Sequence, residues 1–63
     1  MRIIIDGMGG DNAPAEIVKG CVEAAKEISH EIWIVGREDD INNELKKYKY
    51  NKEQIKVIHA PEV

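Results

Sequence analysis

Ile3-Ile4-Ile5 is an unbroken β-branched run, entered after a single basic residue and closed by Asp6-Gly7. No polar residue alternates within it. That is the pattern of a strand buried on both faces, as in a parallel sheet. A strand of this kind belongs at the centre of its sheet, and parallel neighbours require crossover connections that return the chain to the same end. The remaining residues supply such connections twice.

Gly7-Met8-Gly9-Gly10-Asp11-Asn12-Ala13-Pro14 cannot continue the strand. Pro14 suits the first turn of a helix, where its missing N–H costs nothing, and Asp11 or Asn12 is placed to receive the exposed amides. From Pro14 to about Ile28 the period becomes helical. Ile17, Cys21, Ala24, Ala25 and Ile28 share one face, with Val18 and Val22 beside it. Gly20 costs this helix about 1 kcal/mol against alanine and is expected to permit close packing on the sheet. Ser29-His30 ends it. Residues 31–36 read as a second strand, and residues 38–48 as a second helix with Ile41, Leu45 and Tyr48 along one stripe. Acidic residues open that helix and Lys46 and Lys47 close it, which complements its dipole. Lys49 to Gln54 is a polar linker, and residues 55–59 form a third strand.

The sequence therefore predicts an α/β chain, three-layered, with βαβαβ order and parallel strands joined by right-handed crossovers. Strand orders 1-2-3 and 2-1-3 both fit, and the unbroken isoleucine run favours 2-1-3, with the first strand flanked on both sides. In that order the winding reverses beside strand 1, and ligands bind at such reversals, at the carboxyl ends of the strands. The Asp6–Asn12 loop and the His59–Glu62 tail would then line one cleft.

Composition narrows the setting. A chain of 63 residues buries only roughly 60% of its unfolded surface, so its fold is marginal alone. The single cysteine, Cys21, excludes an internal disulfide, and two histidines with one cysteine show no metal-ligand spacing. The net charge of −3 argues against a nucleic-acid partner. No apolar run approaches the ~20 residues of a membrane span, and the N-terminal apolar stretch is too short for a signal peptide. A cytoplasmic chain is expected, forming the N-terminal segment (residues 1–63) of a single larger α/β catalytic domain.

The glycine-rich loop is the strongest chemical signal. Without side chains on Gly9 and Gly10, a phosphate or carboxylate oxygen can approach the backbone amides at the start of a helix. The spacing is neither G-x-G-x-x-G nor a Walker loop, so an anion site and a plain tight turn both remain open. Asp6, at the end of strand 1, reads as a functional carboxylate or as a turn residue bonded to its own loop. Asp11 and Asn12 read as functional groups or as caps. His59 closes a strand on the same side and can serve as acid, base or anion donor, or be structural. Cys21 and Trp33 read as packing, and the Lys46–Tyr50 run as a solvated helix end.

Asp6-Gly7-Met8-Gly9-Gly10-Asp11-Asn12-Ala13-Pro14 resembles the N-terminal signature of the phosphate acyltransferases of bacterial phospholipid synthesis (the PlsX type). The resemblance continues through Glu16-Ile17-Val18-Lys19-Gly20, Val35-Gly36 and Val57-Ile58-His59-Ala60 with Glu62. Gly7 stands where that family usually has alanine. The resemblance implies an enzyme that moves a fatty acyl group from acyl carrier protein to inorganic phosphate, with no cofactor. It further implies a homodimer, peripheral membrane association and a fold similar to isocitrate and isopropylmalate dehydrogenases. On this reading Asp6, Asp11 and His59 are the catalytic candidates and Gly9, Gly10 and Asn12 the anion-binding ones, while the 63 residues alone are inactive. The competing readings are a non-catalytic anion-binding or interaction module that shares the loop, and an acyl- or acetyl-phosphate-handling relative with another acyl donor.

Overall fold

The computed structural model describes residues 2–60. Strand β1 spans Arg2–Asp6, helix α1 Ala15–Ala25, strand β2 Glu31–Gly36, helix α2 Glu38–Leu45 and strand β3 Ile55–His59. The three strands fall where the β-branched runs place them. Both helices are shorter than the periodicity suggested. Past Ala25 and Leu45 the chain continues in single turns, through Ile28 N–H to Ala24 O and Tyr48 N–H to Leu45 O. Lys46 and Lys47 accordingly lie beyond the last turn of α2.

All pairing is parallel, and β2 lies between β1 and β3. The expected 2-1-3 order does not occur. The reason is visible in the helices. Val18, Cys21 and Val22 of α1 and Ile41 and Leu45 of α2 share one core with Ile32, Ile34 and Ile55. The two helices touch each other, so both crossovers lie on one face, and two crossovers on one face step the strands in the same direction. A 2-1-3 order needs one helix on each face.

Register assigns the two faces. Ile3, Ile32 and Ile55 form one row toward the helices, and Ile5, Ile34 and Val57 the next. The opposite face carries Ile4 beside Trp33 and Lys56, then Asp6 beside Val35 and Ile58. No described element covers it, and Ile4 is 65% exposed. The described residues thus make two layers rather than three. The isoleucine run lacks alternation because its outward residue is apolar, and its strand sits at the sheet's edge with a burial pattern that does alternate. On the bare face the guanidinium of Arg2 lies 4.0 Å from the centre of the Trp33 ring, while the indole N–H donates to Glu31 at 2.6 Å.

Helix α1 packs on β2 and β3 rather than on β1, so the inner side of the edge strand lies open beside it. Its buried residues are Val18, Cys21 and Val22, while Ile17 and Ile28 are half-buried. They line an open apolar groove of about 270 Å³ with Ile3, Ile5, Cys21 and Ala24. Gly20 borders this groove, and a methyl group there would meet nothing within 4 Å. It does not bring the helix close to the sheet. Burial pushes the Cys21 thiol up from its ordinary range, as a core residue requires.

Neither N-cap residue, Pro14 or Arg37, makes a side-chain capping bond. At the C-terminal end of α1, Gln54 reaches across from the residue before β3. Its amide nitrogen lies 3.1 Å from Ala25 O, 2.8 Å from Ile28 O and 3.1 Å from His30 O. Its own carbonyl accepts from Ile32 N–H at 2.8 Å. What reads as polar linker is a clasp between the end of α1 and the start of two strands.

Three substitutions test this architecture by thermal or denaturant unfolding. Ile34→Ala, at a fully buried site, should cost about 2–5 kcal/mol, while Ile4→Ala on the bare face should change stability far less. Gly20→Ala should stabilise by about 0.5–1 kcal/mol, since nothing obstructs the methyl group. Gln54→Ala leaves part-buried carbonyls without a donor and should cost about 1–3 kcal/mol.

Candidate functional site

The carboxyl ends of the three strands carry the groups singled out in the sequence. They are Asp6 on β1 and His59 on β3, with Gly36, the last residue of β2, and Arg37 between them. Gly7 extends the pairing by one step, its N–H donating to Val35 O at 2.7 Å. A β-carbon at Gly7 would lie 2.7 Å from Ile34 Cγ2 and 3.0 Å from Ile41 Cδ1. One at Gly36 would lie 2.6 Å from Met8 Cγ. The loop therefore leaves the sheet pressed onto the core, with Met8 folded across Gly36 as its anchor. Where the resembling family usually has alanine, this chain needs Gly7 unless Ile34 and Ile41 give way.

Beyond Met8 the loop turns outward. Gly10 has φ of +100°, a conformation that side chains resist. Ala13 N–H reaches back toward Gly10 O at 3.5 Å, and Glu16 N–H donates to Asn12 O at 3.2 Å. Pro14 stands at the N-cap of α1, one residue ahead of the helix, and no side chain caps that end. The expected capping by Asp11 or Asn12 is thus replaced by the Asn12 carbonyl. Among the described residues, the amides of Gly9, Gly10, Asp11 and Asn12 take no hydrogen-bond partner, and all four residues are exposed. An anion site needs such amides, and a solvated turn shows them too.

Asp6 accepts from Met8 N–H at 3.0 Å through Oδ1, the turn arrangement its position allows. His59 is bound through Nδ1, which accepts from Glu38 N–H at 3.3 Å. The two do not converge. With β2 between them they stand roughly 10 Å apart at the usual strand spacing, and register places them on opposite faces of the sheet. The cleft expected between the loop and residues 59–62 is therefore interrupted by the end of β2 and the start of α2. Glu62 lies outside the described residues.

The group that occupies this interruption is one the sequence reading passed over. Arg37 follows β2 directly and pairs with Asp40 at 2.8 Å, its side chain 51% exposed. It is the guanidinium at an edge that also holds Asp6, Asp11, Glu38, Asp39 and Asp40. Its position after Val35-Gly36 was the available signal, since ligand groups in open parallel sheets follow the strand ends.

Comparison with known proteins supplies the context. A family model described as "Fatty acid synthesis protein" matches residues 1–63. A phosphate acyltransferase of Clostridium novyi (strain NT) is 55% identical over 64 residues, covering 100% of this chain and 19% of that protein. The phosphate acyltransferase of Clostridium acetobutylicum is 56% identical with the same coverage, and that of Dictyoglomus turgidum 48% identical over 63 residues, again covering 100% of this chain and 19% of that protein. The chain thus spans about a fifth of the length of the curated relatives it matches. With the glycine-rich loop at the carboxyl edge and a match that runs from end to end, the chain belongs to the fatty acid synthesis protein family of the phosphate acyltransferases.

Proposed function

We propose that this chain forms the N-terminal wall of an acyltransferase that moves a fatty acyl group from acyl carrier protein to inorganic phosphate. The observation that carries the reading is the Gly9–Asn12 run of unpartnered amides at the sheet's carboxyl edge, in a chain aligned throughout with phosphate acyltransferases. A phosphate oxygen attacks the thioester carbonyl, the C–O bond forms, the C–S bond breaks, and the carrier thiol leaves with a proton. Acyl phosphate is the product. Phosphate is its own nucleophile, so the protein has to hold it, orient it and stabilise the developing oxyanion.

Loop amides suit that task because they carry partial positive charge without adding a competing proton. Arg37, standing between the loop and His59, adds a full charge and a planar donor fork. Asp6 and Asp11 would repel a phosphate dianion and contribute instead by accepting its proton or by holding the loop. Asp6 already holds Met8 N–H.

The same reading makes acyl-acyl carrier protein the donor and a homodimer the working form, with peripheral contact to membrane. Among the described residues no helix is long and apolar enough to cross a membrane. The bare sheet face supports a place within a larger dehydrogenase-like fold, because parallel sheets are ordinarily covered on both sides. On this reading the isolated 63 residues are inactive.

Phosphate titrations at saturating acyl-acyl carrier protein, on family-length enzyme carrying this segment, test the proposal. Gly10→Val forces the loop out of its positive-φ turn and should raise the KM for phosphate roughly tenfold or more, the worth of one hydrogen bond to a charged group. Cys21→Ser should lower the melting temperature and leave that KM unchanged. An unchanged phosphate dependence in folded Gly10→Val would reduce the loop to a turn. Phosphate binding without turnover would favour a non-catalytic anion-binding module.

A further inference from the structure

Helix α2 begins at a residue that cannot cap it. Arg37 holds the N-cap position in an extended conformation and makes no side-chain cap. Good N-caps carry an acceptor oxygen for the orphan amides of the first turn, and a guanidinium has only donors. The acceptor comes from another strand. Along β3 the side chains of Ile55, Val57 and His59 rise on the face that carries the helices. The imidazole thereby reaches the start of α2, where Nδ1 accepts from Glu38 N–H at 3.3 Å.

This bond fixes the chemistry of the ring. A neutral imidazole has one bare nitrogen and one N–H, and an imidazolium has two N–H groups and no acceptor. With Nδ1 engaged as acceptor, the ring is neutral and its proton sits on Nε2. We infer that His59 is the missing N-cap of α2, and that the capping bond locks it in the Nε2–H form, so that its free atom is a hydrogen-bond donor and not a base. Acting as a base at Nε2 would require the proton on Nδ1, pointing at another N–H. The role at the edge rests on the acyl-transfer reading above: His59 donates to an oxygen of phosphate or of the thioester oxyanion. It lies on the face to which the glycine-rich loop crosses on its way into α1. The phosphate proton then passes to a carboxylate or to water rather than to His59. The charged groups around the ring are Arg37, Glu38, Asp39 and Asp40 at the start of α2, with Arg37 already paired to Asp40.

The capping bond is tested in family-length enzyme carrying this segment, with ring-¹⁵N-labelled histidine, and His30, in its turn, serves as the internal comparison. At neutral pH His59 should show a bare Nδ1 and a protonated Nε2. His59→Ala should speed exchange of the Glu38 amide roughly two- to tenfold. His59→Asn, which places an oxygen near the Nδ1 position, should restore the protection. A proton on Nδ1 overturns the proposal, and so does a Glu38 amide in the folded protein that is indifferent to the ring. In family-length enzyme, phosphate should displace the Nε2–H resonance at concentrations that support turnover, and an unmoved resonance would remove the donor role. Absence of acyl transfer with the cap intact would overturn only the reading of the reaction.

Discussion

The contact between α1 and α2 over Ile34 governs everything else in this structure. Ile34 is fully buried at the centre of the middle strand, and Val18, Ile41 and Leu45 are buried with it to 1% exposure or less. Two helices that meet above one strand must share a face of the sheet. That single requirement sets the order β1-β2-β3, leaves the opposite face bare and makes β1 an edge. It also decides what lies beside what at the carboxyl ends, because the end of β2 is interposed between the glycine-rich loop and His59.

The same core shapes the loop. Gly7 and Gly36 are glycines because Ile34, Ile41 and Met8 occupy the space their side chains would take. The first residue of the loop is thus part of the packing, and only from Gly9 onward is the backbone free to face solvent. Such division is useful for a site that must hold an anion: amides on a mobile loop would lose ordering entropy on binding, whereas amides anchored by a half-buried Met8 are partly ordered beforehand. The two helices are likewise completed from outside themselves. Gln54, just before β3, and His59, its last residue, satisfy the end of α1 and the start of α2 respectively. A strand of five residues therefore closes both helices.

The strands were legible because β-branched runs bounded by turn residues have few alternatives. Their order was not. Ile3-Ile4-Ile5 signals two apolar faces, and it cannot say whether an element within the described residues covers the second. Ile4, bare here, is the ambiguity made physical. Helix ends were read too long for a related reason: the apolar positions Ile28 and Tyr48 continue the period, but a half-buried residue can pack from a single turn as well as from a helix. The caps escaped notice because they are tertiary. Nothing near Arg37 in sequence announces that its helix is capped from position 59. Among the site residues, the placement of Asp6, the loop and His59 at one edge followed from strand ends alone. Their failure to converge depended on the strand order.

Electrostatics shows why this edge favours backbone and neutral donors over a charged pair. Asp6, Asp11, Glu38, Asp39 and Asp40 stand against one guanidinium, and Arg37 is itself engaged with Asp40. A phosphate dianion approaching such an edge meets repulsion of about 2 kcal/mol per carboxylate at 4 Å even in water, more where water is excluded. The carboxylates must then be occupied or turned away. Asp6 is occupied by Met8 N–H, on the sheet face opposite the helices. Asp40 is occupied by Arg37. Among the described residues Asp11, Glu38 and Asp39 have no such partner, and the donors beside them are a row of unpartnered amides and an imidazole whose bare nitrogen is already used. Each offers a proton to an oxygen without taking one from it. Such donors suit a reaction in which phosphate supplies the attacking electrons and the protein gathers the negative charge, provided Asp11, Glu38 and Asp39 stay turned to solvent.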